Sequence, residues 1–126
     1  MSCYSAGVER VVGIGGIFFR SRDPEALKKW YADHLGIPDG ESGHMFETSG
    51  PTVWCPFPEH ASYFGPGGGL LMINYRVNDL EAILEQLRSA GVAVDDHVED
   101  YDYGRFGWAT DPEGNRFELW QPPNEG

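Results

Sequence analysis

The sequence predicts an α+β fold assembled from two copies of one βαβββ unit, and three observations point there. First, Phe19-Arg20-Ser21-Arg22-Asp23-Pro24-Glu25-Ala26-Leu27 returns in altered form as Tyr75-Arg76-Val77-Asn78-Asp79-Leu80-Glu81-Ala82-Ile83, at a constant offset of 56 residues. A chain of 126 residues that repeats near half its length reads as a duplicated supersecondary unit. Second, each copy runs from an apolar strand-like stretch into an Asp-capped segment with apolar residues at helical spacing. Third, Asp111-Pro112-Glu113-Gly114 separates two short apolar-rich segments, the pattern of a tight hairpin. The repeat places a first module at residues 10–66 and a second at 69–122, together one compact domain.

The elements follow in order. Residues 1–9 read as a loose tail without the basic-then-apolar pattern of a secretion signal, so export is not expected. Val11 to Phe19 reads as a strand with close backbone approach at its glycines. Asp23 is suited to the N-cap and Pro24 to the first helical position. Leu27, Trp30, Tyr31 and Leu35 hold helical spacing, and Gly36 ends the helix. Residues 38–43 form a turn-rich connection. Met45 to Thr48 and Thr52 to Phe57 are expected as short strands joined at Ser49-Gly50-Pro51, with a further strand near Ser62 to Phe64. Gly65 to Gly69 joins the halves; without a following Lys-Ser/Thr and a helix, it reads as a linker rather than a phosphate loop. Leu70 to Val77 is a strand. Asp79 caps a helix with Leu80, Ile83, Leu84, Leu87 and Ala90 on one face, and Gly91 stops it. Val92 to Val98 begins another strand, and Phe106 to Thr110 pairs with Arg116 to Gln121.

Composition narrows the function. Apolar residues make up 40% and aromatic residues 13%, enough for a packed core. No run approaches the roughly 18 apolar residues of a membrane span. The net charge of −11 repels phosphate backbones, so nucleic acid is not an expected partner. The same charge would draw in a cationic small molecule, although solubility is its ordinary role. Cys3 and Cys55 suggest neither a disulfide framework nor a metal knuckle, and a reducing cytoplasm fits them. Asp95, Asp96, Glu99, Asp100 and Asp102 lack the spacing of a calcium loop and read as a solvated acidic connection.

The hairpin sets which residues share a face. A three-residue turn ending in Gly114 places Trp108 opposite Glu118 and Phe106 opposite Trp120. Directly opposed residues lie on the same side of a sheet. One side then carries Phe106, Trp108, Glu118 and Trp120, with Thr110 and Arg116 nearer the turn. Ala109, Phe117 and Leu119 occupy the other, which suits packing beneath helices. A slip of one residue would invert the assignment. In the strand before the second helix, Leu71, Ile73, Tyr75 and Val77 match the helix side, so Met72, Asn74 and Arg76 face with Glu118. The repeat offset gives Gly16, Phe18 and Arg20 the equivalent places in the first half.

These residues resemble a known family. The Asp-capped helix with Trp30-Tyr31 and Leu35-Gly36, followed by Asp111-Pro112-Glu113-Gly114-Asn115-Arg116-Phe117-Glu118-Leu119-Trp120, looks like the vicinal oxygen chelate superfamily of glyoxalases, bleomycin resistance proteins and dioxygenases. The resemblance covers about residues 10–122. It implies two βαβββ modules whose mixed sheet curls around a cavity, with the helices on the outer face. It also implies a homodimer. Its metalloenzymes take ligands from the first and last strands of both modules, which here correspond to Gly16, Ser62, Met72 and Glu118. Only Glu118 is a good ligand; glycine has no side chain and a thioether suits a hard divalent ion poorly. The usual metal centre is therefore not expected, and no cofactor is predicted. Glu118 and His60 would serve only in a non-standard site, while His34, His44 and His97 read as surface or hydrogen-bonded histidines.

What remains under this resemblance is an aromatic cup. Trp54, Phe57, Tyr63, Arg76, Phe106, Trp108 and Trp120 are the expected ligand-binding residues, with Phe64 beside them and Tyr101 and Tyr103 on the loop leading in. Glu118 is the candidate catalytic or cation-binding carboxylate, with Arg20 and Arg76 its expected internal partners. The leading reading is a metal-independent protein that binds a small cationic or aromatic molecule. The alternatives are a divalent-metal lyase or dioxygenase of the same superfamily, and a metal-free enzyme with Glu118 as acid or base.

Overall fold

Helix α1 spans Pro24–Leu35 and helix α2 spans Leu80–Ser89, so the two begin 56 residues apart, as the repeat requires. Both are capped alike: the Asp23 carboxylate accepts from the Ala26 N–H at 3.2 Å, and Asp79 accepts from the Ala82 N–H at 3.1 Å. An N-cap side chain satisfies donors that the helix leaves without a partner. Gly36 then takes a left-handed conformation at φ +70°, which closes α1. These elements come from a computed structural model that describes residues 17–41, 43–47, 50, 52–65 and 69–123.

Five strands complete the described fold: β1 (Ile73–Arg76), β2 (Ala93–Val94), β3 (Glu99–Tyr101), β4 (Gly104–Thr110) and β5 (Arg116–Gln121). The sheet is mixed. β1 runs parallel to β5, β5 antiparallel to β4, and both β2 and β3 pair antiparallel with β4. β2 and β3 are thus two pieces of one interrupted strand, broken over residues 95–98. With that break counted as one strand, the second half is the expected β-α-β-β-β unit. The hairpin register is the expected one, with Trp108 opposite Glu118 and Phe106 opposite Trp120.

One sheet face carries both helices. Leu27 and Tyr31 of α1 and Leu80, Leu84 and Leu87 of α2 form a single buried cluster with Ala109, Phe117 and Leu119. Burying each leucine or phenylalanine of this cluster contributes about 1.5–3 kcal/mol. The Asp-Pro-Glu-Gly-Asn turn ties this layer together. Asp111, buried, accepts from the Glu113 and Asn115 backbone N–H groups at 2.9 Å each. Its other oxygen accepts from the Tyr31 hydroxyl at 2.9 Å and the Asn115 amide at 2.8 Å. Glu113 in turn accepts from the Ser21 hydroxyl and from the backbone N–H groups of Arg22 and Asp23, just ahead of α1.

The first half departs from expectation. Residues 17–20, 45–47 and 52–57 carry no regular strand, and Ser62–Phe64 is a 3₁₀ turn rather than a strand. Within 52–58, Pro56 and Pro58 each remove a ladder donor, which accounts for the irregular backbone there. The Ala61 N–H instead bonds the Pro58 carbonyl at 3.0 Å and starts the turn. The expected strand over residues 11–16, the Ser49 and Pro51 part of the 49–51 connection, and the centre of the 65–69 linker lie outside the described residues.

Candidate functional site

The sheet face away from the helices gathers the chemistry. Strand alternation brings Asn74 of β1, Glu118 and Trp120 of β5, Phe106 and Trp108 of β4, and Glu99 and Tyr101 of β3 to this one side. Asn74 lies opposite Glu118, and its amide donates to Glu118 Oε1 at 2.7 Å. Burial raises the Glu118 pKa above the ordinary carboxylate value. Asn74, the Trp108 indole and the Arg116 charge oppose that rise, while the charge of Glu99 adds to it. The indole N–H approaches the carboxyl closely enough to act on it yet completes no hydrogen bond.

Trp108 is the centre of the cluster and only 1% exposed. His97 stacks on it with ring centroids 5.9 Å apart, and Tyr63 stacks at 6.1 Å. The Arg116 guanidinium lies 5.6 Å from the ring centroid, a cation–π distance. Arg116 is itself fixed by Asp95 at 2.9 Å and by the Tyr63 carbonyl at 2.8 Å. Glu99 accepts from the Tyr101 hydroxyl at 2.5 Å and the Tyr63 hydroxyl at 3.4 Å, and pairs with His97 at 2.7 Å. Tyr101 first and His97 second hold the Glu99 carboxyl below its ordinary pKa. Further along the face, Phe106 stacks on Trp120 at 6.2 Å, and Tyr101 and Tyr103 stack on each other at 5.0 Å beside Phe106.

The expected site residues divide accordingly. Glu118, Trp108, Phe106, Trp120 and Tyr63 come together. Phe57 joins through edge contacts with Tyr63 and Phe64. Trp54 is 76% exposed on an irregular segment. Arg76 shares the strand face, but its guanidinium lies across Gly50. The neighbours of the Glu118 carboxyl are Asn74 and Arg116, in place of the expected Arg20 and Arg76; Arg20 is exposed. The acidic run from Asp95 to Asp102 is likewise not a simple solvated connection. Glu99 is turned into the site by strand β3, Asp95 pairs with Arg116, and Asp100 pairs with Arg105 at 2.6 Å. His97, Glu99 and Tyr101, two residues apart in turn, carry the period that could have revealed them.

The residues do not fit the family's metal. Met72 and Ser62 are poor ligands for a hard ion, Gly16 has no side chain, and one Glu118 oxygen faces the amide donor of Asn74. His60 is exposed in a turn, and among the described residues no three His, Cys, Asp or Glu side chains converge. A surface depression of about 290 Å³ lies elsewhere. Trp30, His34, Val92 and Pro112 line it beside the helix layer.

A mixed sheet with two helices on one face, closed by a strand–helix–three-strand unit, defines an α+β protein of the βαβββ type. The chain belongs to the Glyoxalase/Bleomycin resistance protein/Dioxygenase superfamily, whose profile matches residues 13–119. No curated protein matches it. Solved structures do. A glyoxylase/bleomycin resistance protein/dioxygenase domain from Frankia sp. EAN1pec is 13% identical with a TM-score of 0.55, over 93% of this chain and 96% of that one. A member of the same superfamily from Sphaerobacter thermophilus DSM 20745 is 18% identical with a TM-score of 0.54, over 88% and 98%. TnmS3, an antibiotic binding protein from Streptomyces sp. CB03234, is 26% identical with a TM-score of 0.49, over 80% and 88%.

Proposed function

We propose that this protein binds a small aromatic or cationic molecule against the Glu118–Trp108 face, without the superfamily's usual metal centre. The observation that carries this reading is the convergence of two carboxylates, Glu99 and Glu118, with Trp108, Tyr63, Phe106 and Trp120 on the helix-free side of the sheet. Aromatic faces favour planar rings and cations, and ionised carboxylates add to the second preference. A panel of planar aromatic cations and neutral isosteres, screened by thermal shift and calorimetry, tests it. Binding that survives both Glu118→Gln and Trp120→Ala unchanged would locate the ligand elsewhere.

A second reading has its own support. A desolvated carboxyl with a raised pKa and an amide neighbour suits a general acid or base. Turnover lost in Glu118→Gln with the fold intact would favour this metal-free enzyme over sequestration. A metal-dependent lyase or dioxygenase is the competing class, and stoichiometric divalent metal in native protein would revive it.

The working form is a homodimer, each chain holding modules at 10–66 and 69–122. Phe18, Met45, Phe46, Trp54, Leu70 and Leu71 are exposed, a large apolar surface for a solitary chain. Sedimentation as a monomer at micromolar concentration would contradict this.

A further inference from the structure

The ring of Trp108 is already covered. His97 and Tyr63 stack on it, Arg116 lies over it, and only 1% of the residue meets solvent. The open aromatic surface of this sheet face lies at its other end, beside the β3–β4 turn. There Tyr101 and Tyr103 stack at 5.0 Å with their planes 4° apart, yet remain 44% and 60% exposed. Phe106 meets both at steep angles, 64° and 66°, and the half-buried Trp120 stacks on Phe106. Four rings in mutual contact thus reach solvent together, and contiguous exposed apolar surface marks interaction sites in a way that scattered residues do not.

Negative charge surrounds these rings, but most of it is already committed to hydrogen bonds. Glu99 accepts from the Tyr101 and Tyr63 hydroxyls and pairs with His97. Three such partners favour the ionised carboxylate, and a phenol that donates to a carboxylate carries a more electron-rich ring. Asp100 is taken up by Arg105, which also meets Glu81, so that cation is neutralised. Asp102, exposed between the two tyrosines in the chain, adds a further negative charge. Ring faces attract a cation but accept no strong hydrogen bond. A primary ammonium would give up water there for little return, whereas a fully alkylated nitrogen is weakly hydrated and has no N–H to satisfy.

We propose that the Tyr101–Tyr103–Phe106–Trp120 cluster binds a quaternary ammonium group, with the methyl groups against the exposed rings and the charge in the field of Glu99, Asp100 and Asp102. This rests on the small-molecule reading above and narrows the ligand to a fully methylated amine.

Choline, its uncharged isostere 3,3-dimethyl-1-butanol and its unmethylated counterpart ethanolamine form the test set, titrated into the full-length protein by NMR. Choline should bind about tenfold more tightly than either of the others. Its methyl protons should move upfield, as contact with ring faces requires. Tyr103→Leu, which keeps apolar bulk but removes the ring, should weaken choline about tenfold, and Tyr103→Phe should rescue it. Equal binding of dimethylbutanol would make the cluster a hydrophobic patch, and equal binding of ethanolamine would make it a site of charge alone. Either result overturns the inference and leaves the small-molecule reading standing. Choline binding that Tyr103→Leu leaves unchanged overturns it as well. If choline does not bind, the inference fails, and the planar-cation panel then decides alone whether the broader reading survives. Once choline binds as expected, cosedimentation with phosphatidylcholine vesicles would assign the ammonium to a lipid headgroup, and its absence would assign it to a free methylated amine; the inference holds in both.

Discussion

Glu118 keeps its proton to higher pH in the folded protein than in the unfolded chain, because burial disfavours its charge. The unfolded carboxyl therefore ionises first as pH rises, and stability is lost across the interval between the ordinary carboxylate pKa and the raised one. Glu118→Gln removes that loss. The variant should melt above the parent at pH 7–8, and the difference should vanish below the ordinary carboxylate range, at about pH 3, in parallel thermal melts. The phenols behave in the same sense. Burial pushes Tyr75 up to about 12 and Tyr31 further still. In an alkaline titration followed by ultraviolet absorbance, these two should remain un-ionised above the ordinary phenol range of about 10 and titrate only as the protein unfolds. Glu118, Trp108 and Trp120 were placed correctly from the hairpin register alone, because strand alternation is strict once the turn is set. His97 and Glu99 were not, because a run of acids masks a two-residue period and the interruption at 95–98 hides the strand that carries it.

The Asp111–Asn115 turn is the element that joins the halves. Tyr31→Phe removes one hydrogen bond to Asp111 and should lower stability by about 1 kcal/mol. Asp111→Ala strips four donors of their acceptor at once and should cost about 3 kcal/mol or more, read as a fall in denaturant midpoint with an unchanged m-value. At the β3–β4 turn, Gly104 holds φ +133° with the Trp120 indole nitrogen and the Gln121 carbonyl where a side chain would stand. Gly104→Ala should cost about 2 kcal/mol or more and disturb the Phe106–Trp120 stack, seen in near-ultraviolet circular dichroism. Elements with caps and clean periods were legible: Asp23, Asp79, Gly36 and the hairpin all stand where sequence chemistry requires. Residues 52–58 were not, since a stretch ending in Pro56 and Pro58 looks like a strand until its missing donors are counted.

At the scale of the molecule, charge and apolar surface oppose each other. The net charge of −11 repels one copy from another, while in the proposed homodimer the exposed apolar residues of the first half would supply the attraction. Added salt screens the first effect alone. Sedimentation should therefore show the proposed homodimer strengthening between low and physiological ionic strength. Among the described residues no helix is long and apolar enough to cross a membrane. The repeat itself was legible because both helices carry the same cap, but the relation between the halves was not. That relation runs through Glu113, which accepts from Ser21, Arg22 and Asp23 across ninety or more positions of chain. Contacts so distant in sequence close late in folding. Until the final hairpin exists, the leading helix thus lacks its Asp111, Glu113 and Phe117 partners and leans on α2 alone, and a nascent chain still lacking that hairpin would display part of the helix's apolar stripe to chaperones. In the mature protein, amide exchange should reach the start of that helix before it reaches the hairpin that holds it.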